Sequence, residues 1–314
     1  STAQESPPGT ELRSQSSTRE TARFLLSPIG ARTVGLAGAV SASRGDIEGV
    51  LWNPASAAGI SRSTAYFLAA NDFGTASQVL GFVGRWGAWR AGLSYYHYDL
   101  GSIDARDEDN QSLGTIGLDD DALIVTGGYG LSSAVDLGVN YKLVRLSSAC
   151  SGGCEAYDGR SYGHAFDLGV VAAIVGARGL TIGAALRNLG PGIEFAGGGT
   201  SDPMPSRLRM GVSLDATRAF LPDEERFGFV LQVDVQETVT EFDDLEGYLG
   251  AEASVRGILY LRGGYAWTSA GRSGAALGIG IRYDRLRVDL GRSFDDFSGF
   301  DADSPFQLSL AFGF

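Results

Sequence analysis

The sequence predicts an all-β chain: a closed, antiparallel, membrane-spanning barrel of fourteen strands with an N-terminal segment plugging its lumen. Three observations carry this. First, Phe306, Leu308, Leu310, Phe312 and Phe314 alternate with Gln307, Ser309, Ala311 and Gly313. A period of two is the mark of a strand with one apolar and one small or polar face. In a soluble sandwich that aromatic face needs a partner sheet, whereas in a transmembrane barrel it meets lipid. Second, the same period runs from Ser61 onward. Third, the connections between the periodic stretches alternate between short and long.

Residues 1–21 are polar and rich in Pro and Ser, and read as a flexible periplasmic tail. Residues 22–60 turn apolar and Gly/Ala-rich without a period of two, which predicts short helices and turns packed inside something as a plug. Ser27-Pro28 and Asn53-Pro54 each pair a capping side chain with Pro at a first helical position, so each predicts a helix start. Residues 61–314 form the barrel. Its strands are expected near 63–70, 75–86, 88–98, 121–130, 134–146, 162–175, 179–189, 206–215, 226–236, 247–255, 258–267, 273–283, 286–293 and 305–314. Fourteen is even, as bacterial single-chain barrels require.

Several strands are sharply two-faced. Val135, Leu137, Val139, Tyr141 and Leu143 oppose Asp136, Gly138, Asn140 and Lys142; Leu277, Ile279, Ile281 and Tyr283 oppose Gly278, Gly280 and Arg282. A buried charge is costly unless paired, so charges repeated on the inner face predict a polar lumen. Lys142, Arg187, Arg209, Asp234, Arg262, Arg282 and Asp289 are the principal lumen charges, with Asp136, Asp167 and Arg287 beside them. They line either a polar path or a salt-bridge lattice that seals the lumen, and their mixed signs favour the lattice. Tyr95, Tyr96, Tyr98, Tyr265, Trp267, Tyr283, Trp86 and Trp89 are candidates for the two interfacial girdles. Tight connections at Gly87, Ser132-Ser133, 176–178, Arg256-Gly257 and Asp284-Arg285 fall on one side. Long ones at 99–120, 147–161, 190–205, 237–246 and 294–304 fall on the other, as periplasmic turns and extracellular loops do. The connection 216–225 is long on the short side.

Composition agrees. No run approaches the ~20 apolar residues of a membrane helix. Gly accounts for 46 of 314 residues, about twice its usual ~7% share, and much of it lies inside strand-like runs. The formal charge of −12 argues against nucleic-acid binding, which needs a basic face. Cys150 and Cys154 are expected to form a small-loop disulfide in an exported protein; a reduced or metal-binding pair is the alternative, without a Cys or His cluster to support it. Enzyme chemistry has little to stand on. His97 and His164 belong to no evident triad, there is no Gly-x-Ser-x-Gly elbow, and Gly35-Leu-Ala-Gly38 does not follow a strand as a dinucleotide loop must. The run Asp107-Glu108-Asp109-Asn110 lacks the Gly and distal Glu of a calcium loop. No enzyme activity, cofactor or metal is expected.

The order of short motifs resembles the PorV/PorQ family, a branch of the barrels similar to FadL, the long-chain fatty-acid transporter. Phe24-Leu25, Gly30-Ala31-Arg32, Gly35-Leu36-Ala37-Gly38-Ala39, Asp46 and Trp52-Asn53-Pro54-Ala55 carry the match in the plug. Asn188-Leu189-Gly190, Pro205-Ser206-Arg207, Leu261-Arg262-Gly263-Gly264-Tyr265 and the terminal Phe314 carry it in the barrel. Ala37 departs from the family's second Gly, and Ser56-Ala57-Ala58 from the Gly-Leu that usually follows Asn-Pro-Ala. The resemblance implies an outer-membrane barrel of a diderm bacterium, its signal peptide already removed, with Arg32, Gly35, Gly38, Trp52, Asn53 and Pro54 as plug or hinge residues. It further implies a docking and shuttle component of a type IX-like secretion system. The partners would be outer-membrane lipid, C-terminal signal domains of secreted proteins and other secretion components. A FadL-like transporter of hydrophobic small molecules is the alternative, and a soluble all-β binding protein a third reading.

Overall fold

The structure, a computed structural model, describes residues 20–72, 75–194, 201–239, 245–269, 271, 273–295 and 306–314. The closed barrel contains β1 (Thr64–Asp72), β2 (Thr75–Trp86), β3 (Trp89–Arg106), β4 (Ser112–Gly130), β5 (Val135–Gly152), β6 (Gly159–Ala173) and β7 (Leu180–Leu189). It continues through β10 (Arg207–Asp215), β11 (Phe227–Thr238), β12 (Glu246–Val255), β13 (Leu259–Thr268), β14 (Ser273–Tyr283), β15 (Leu286–Asp295) and β16 (Phe306–Gly313). The barrel therefore has fourteen strands, each antiparallel to its neighbours. β8 (Ile193–Glu194) and β9 (Ser201–Asp202) form a separate small hairpin between β7 and β10. Closure runs from Thr64 opposite Gly313 to Asn71 opposite Phe306.

The alternation seen in sequence sets the two surfaces. Leu137, Val139 and Leu143 are exposed on the outer face of β5, while Asp136, Asn140 and Lys142 are buried toward the lumen. Phe306, Leu310, Phe312 and Phe314 likewise face outward on the closing strand. A wall of exposed aliphatic and aromatic side chains around a polar interior is the arrangement a hydrocarbon solvent demands. Trp86, Trp89 and Tyr283 are exposed near the short-connection end, and Tyr95, Tyr265 and Trp267 toward the opposite end. Tyr96 and Tyr98 are not girdle residues. They have the inward parity of β3, and Tyr96 is buried against Phe24 of the plug with ring centroids 5.3 Å apart.

Three further expectations are corrected. Residues 99–120 and 147–161 are largely strand, because β3, β4 and β5 continue well past the apolar band. The pairing shifts register between Asp99 and Gly101, and beyond the apolar band neither face must be greasy, so the period fades. Ser27-Pro28 starts no helix: a 3₁₀ turn, Arg23–Leu26, ends before it, and α1 (Ala31–Gly35) follows. Asn53-Pro54 does start one, with Asn53 Oδ1 accepting the Ala55 amide at 3.1 Å ahead of the 3₁₀ helix Pro54–Gly59. The connection 216–225 contains α2 (Ala216–Phe220), capped by Asp215.

The segment from Thr21 to Ile60 lies inside the barrel. Glu20 pairs with Arg207 at 2.7 Å and the Thr21 amide donates to the Pro203 carbonyl, placing this start at the long-connection mouth. At the other end Arg90 donates to the Ile60 carbonyl at 2.7 Å. Of the expected periplasmic tail, residues 1–19 lie outside the described residues. Inward-facing glycines let the plug backbone touch the wall. A Cβ at Gly138 would sit 2.1 Å from the Pro54 carbonyl carbon, and one at Gly183 2.1 Å from the Ser41 oxygen. The glycine excess inside strands therefore follows from close approach of two backbones.

Candidate functional site

The lumen is held by two groups of buried charge. In the first, Arg32 and Asp46 of the plug join four wall residues in a closed ring of alternating sign. Arg32 meets Asp46 at 2.8 Å and Glu252 at 3.0 Å; Arg262 meets Glu252 at 2.6 Å and Asp289 at 2.7 Å. Arg287 closes the ring between Asp289 and Asp46. Three guanidinium groups and three carboxylates balance, as buried ions must. Burial works to raise the Asp46 carboxyl, but Arg32 and Arg287 together hold it down at about 2. Glu48 stands outside the ring, 3.8 Å from Arg287, and accepts the Thr33 amide at 3.0 Å. Burial pushes its carboxyl above the usual value, with Asp46 and Asp289 adding to the effect.

The second group lies across the lumen. Lys142 pairs with Asp167 at 2.8 Å and donates to Asn188 at 2.7 Å. Arg209 pairs with Asp234 at 3.0 Å, and the same carboxylate oxygen accepts the Val40 and Ser41 amides. Arg187 differs: it stacks over the Trp52 ring at 4.4 Å and donates to the Leu25 carbonyl, while its Nε and Nη1 have no hydrogen-bond partner. Arg282, read from sequence as a lumen charge, is exposed at the short-connection end, 5.3 Å from the Tyr260 ring.

The other plug residues singled out from sequence make anchoring contacts. Gly35 lies against Gly278, and Gly38 has φ +91° with its carbonyl accepting from Arg209. Positive φ at a tight plug–wall contact favours glycine. Asn53 Nδ2 donates to the carbonyls of Ser41 at 2.7 Å and Val170 at 3.1 Å. Cys150 and Cys154 are disulfide-bonded, with Cα atoms 5.6 Å apart, in a small apolar cluster with Ala105 and Ile116 at the extended end of β3–β5. Sequence reading passed over Glu252 and Glu48. Glu252 has the inward parity of Tyr248 and Gly250, which was the available signal.

Between the upper plug and the inner faces of β10–β15 lies a cavity of about 380 Å³. Leu26, Pro28, Val34, Ala37 and Trp52 line it from the plug; Ala266, Ala276, Tyr248, Gln236, Glu246 and Arg209 line it from the wall. Its size falls within the ~300–1,000 Å³ typical of small-molecule sites. Trp52 also lines a gap of about 20 Å³ bordered by Arg187, Lys142 and Tyr96. Among the described residues no group of three or more His, Cys, Asp or Glu is arranged to hold a metal ion.

The barrel is shared with solved structures. The Pseudomonas putida toluene transporter TodX aligns with a TM-score of 0.59 at 13% identity, covering 89% of this chain and 95% of its own. The CymD monoaromatic hydrocarbon channel gives 0.61 at 12% identity, covering 91% and 97%. A Pseudomonas aeruginosa FadL homologue gives 0.58 at 13%, covering 92% and 99%. At such identities the likeness establishes the fold alone. No curated protein matches the sequence. The model of an uncharacterised protein family, UPF0164, matches residues 1–312.

Proposed function

We propose that this chain, which belongs to the uncharacterised protein family UPF0164, is an outer-membrane channel that admits small hydrophobic molecules through a plugged lumen. The observation that supports this most is the largely apolar cavity between plug and wall, placed in the outer half of the barrel. The fold it shares with a toluene transporter and a monoaromatic hydrocarbon channel is consistent with that reading. Passage requires the plug to shift, and we place the hinge at Trp52-Asn53-Pro54, where a side-chain cap and Pro fix the direction of the chain.

The test is binding of toluene to the purified full chain in detergent, followed by tryptophan fluorescence, since Trp52 and Trp267 border the cavity. The reference is Ala266→Phe, which fills the space. A saturable change in the parent that is at least tenfold weaker in the filled variant supports the channel. Equal responses would remove it.

A second reading, docking of exported proteins in the manner of PorV, gains nothing from the family match or the structural neighbours. Its support is the extension of β3–β5 beyond the apolar band, with Leu100, Ile103 and Tyr157 exposed. Co-purification of a secreted protein's C-terminal β-domain, lost on shortening β3–β4 between 99 and 118, is the experiment for it.

A further inference from the structure

Past the apolar band the wall narrows to a lobe of three strands, and the two edges of that lobe differ. β3 runs beside β2 only as far as Asp99, opposite Ala76, yet follows β4 on to Arg106, opposite Ser112. β5 runs beside β6 as far as Ser148, opposite Gly159, and follows β4 on to Gly152. β4 is therefore the middle strand of the lobe, with β3 and β5 on its flanks.

The β5 edge is covered. The Asp158 carboxylate accepts the Cys150 amide, the Ser148 hydroxyl donates to the Tyr157 carbonyl at 2.6 Å, and the Cys150–Cys154 disulfide leads into the 3₁₀ turn Glu155–Tyr157 beside them. Among the described residues the β3 edge is bare. Alternate residues of an antiparallel strand bond to opposite sides, so half of the stretch Gly101–Arg106, about 20 Å long, has no strand to bond on its outer side. The Gly101 amide, at the bulge, turns back to Asp99 Oδ1 at 2.7 Å. A bare edge of this kind is a template for a further strand.

The two faces of the edge say what that strand must carry. Ile103 lies opposite Ile116, which lies opposite Cys150, and direct cross-strand partners share a face. Ile116 is buried in a cluster with Ala105 and Cys154, whereas Ile103, at the end of the same row, is 55% exposed. One more strand would set a side chain beside Ile103 and continue the row. The other face holds Ser102, Asp104 and Arg106, with Asp104 and Arg106 paired at 3.6 Å. Asp107, Glu108 and Asp109 follow in the turn, all exposed, so this side is acidic.

We infer that the bare edge of β3 takes up an extended segment of another protein by strand addition, with apolar side chains toward Ile103 and basic ones toward Asp104. Main-chain hydrogen bonds supply the affinity, and those two positions the choice. A second copy in the same membrane also runs its β3 outward, so two such edges meet in parallel, the less stable pairing. The lobe lies outside the lumen, and the inference stands apart from the channel reading.

The probe is a short fluorescent peptide of alternating Val and Lys, titrated into the full chain in detergent and followed by anisotropy. It is compared with a Val–Glu peptide and with the Val–Lys peptide N-methylated throughout, which cannot donate main-chain hydrogen bonds. Val–Lys is expected to bind at least tenfold more tightly than either. Ile103→Lys is expected to weaken it at least tenfold, and Asp104→Lys to reverse the order of the Lys and Glu peptides. If one variant fails the heat-modifiability check for a folded barrel, the other variant and the N-methyl comparison decide. Binding that survives N-methylation, or that is equal in the parent and the variants, overturns the inference, as does no binding by any peptide. A parent dimer that Ile103→Lys dissociates would assign the edge to a second copy and overturn it too.

Discussion

Arg32 Nε of the plug lies 3.0 Å from Glu252 Oε2 of the wall, and Arg262 donates to that same oxygen at 2.6 Å. One carboxylate oxygen thus joins a guanidinium that belongs to the plug and one that belongs to the wall. Removing one partner of a buried ion pair costs about 3–5 kcal/mol because the other charge is left uncompensated. Arg32→Met is expected to weaken plug docking by that amount, read as faster proteolysis within residues 22–60 while the barrel keeps its heat-modified gel mobility. The double variant Arg32→Met/Glu252→Gln is expected to recover part of the loss, since both charges leave together. A fully additive double variant would show that the two do not interact.

The glycine contacts predict a second asymmetry. Gly138→Ala places a methyl 2.1 Å from a plug backbone carbon, whereas Gly117→Ala meets nothing closer than the Ala149 oxygen at 3.8 Å. Overpacking of this kind costs about 1–3 kcal/mol. Urea midpoints should fall for Gly138→Ala and stay near the parent value for Gly117→Ala.

The plug's carboxyls set opposite pH dependences. Asp46 is held at about 2, below its ordinary 3.8, so its contribution is present above about 4 and is lost as pH falls toward 2. Glu48 is raised, so its contribution is full below its ordinary 4.5 and is lost as pH rises through the raised value. Glu48→Gln keeps an oxygen for the Thr33 amide, and is expected to stabilise the plug at neutral pH and remove the decline on the alkaline side. Protease susceptibility of residues 22–60 measured against pH checks both.

Arg187 and Arg209 have the same charge and nearly the same burial but different surroundings. Arg209→Met strands Asp234 and should cost about 3–5 kcal/mol. Arg187→Met removes a cation with no carboxylate partner within 4.0 Å among the described residues and two unpartnered N–H groups. It should cost less, about 1–2 kcal/mol, the loss being its contact with Trp52 and its hydrogen bond to the Leu25 carbonyl. Equilibrium unfolding of the two variants side by side separates these outcomes.

The barrel was legible because hydrocarbon outside and polar lumen inside impose a strict alternation, visible in Val135–Leu143 and again in Phe306–Phe314. The excursion of β3–β5 was not, since beyond the apolar band that constraint ends and a bulge near Leu100 breaks the count. Arg262, Arg287 and Asp289 stood out as inward ions and Arg32 as a plug residue, yet Glu252 and the ring did not. Its closure depends on which rotation the plug adopts against β12, β13 and β15, and no local spacing encodes that. The cavity was hidden for the same reason: nothing in the alternation of β11 and β12 shows that the plug leaves space beside Gln236 and Tyr248.

The hydrogen bonds from Glu20–Arg207 at one opening to Ile60–Arg90 at the other carry a consequence for biogenesis. A segment that precedes β1 in the chain ends up threaded through a hole whose rim is sealed when β16, some 240 residues farther along, joins β1. Once β16 has joined β1 that segment can enter or leave only lengthwise through one of the two openings, so seating it and sealing the rim are coupled steps of assembly.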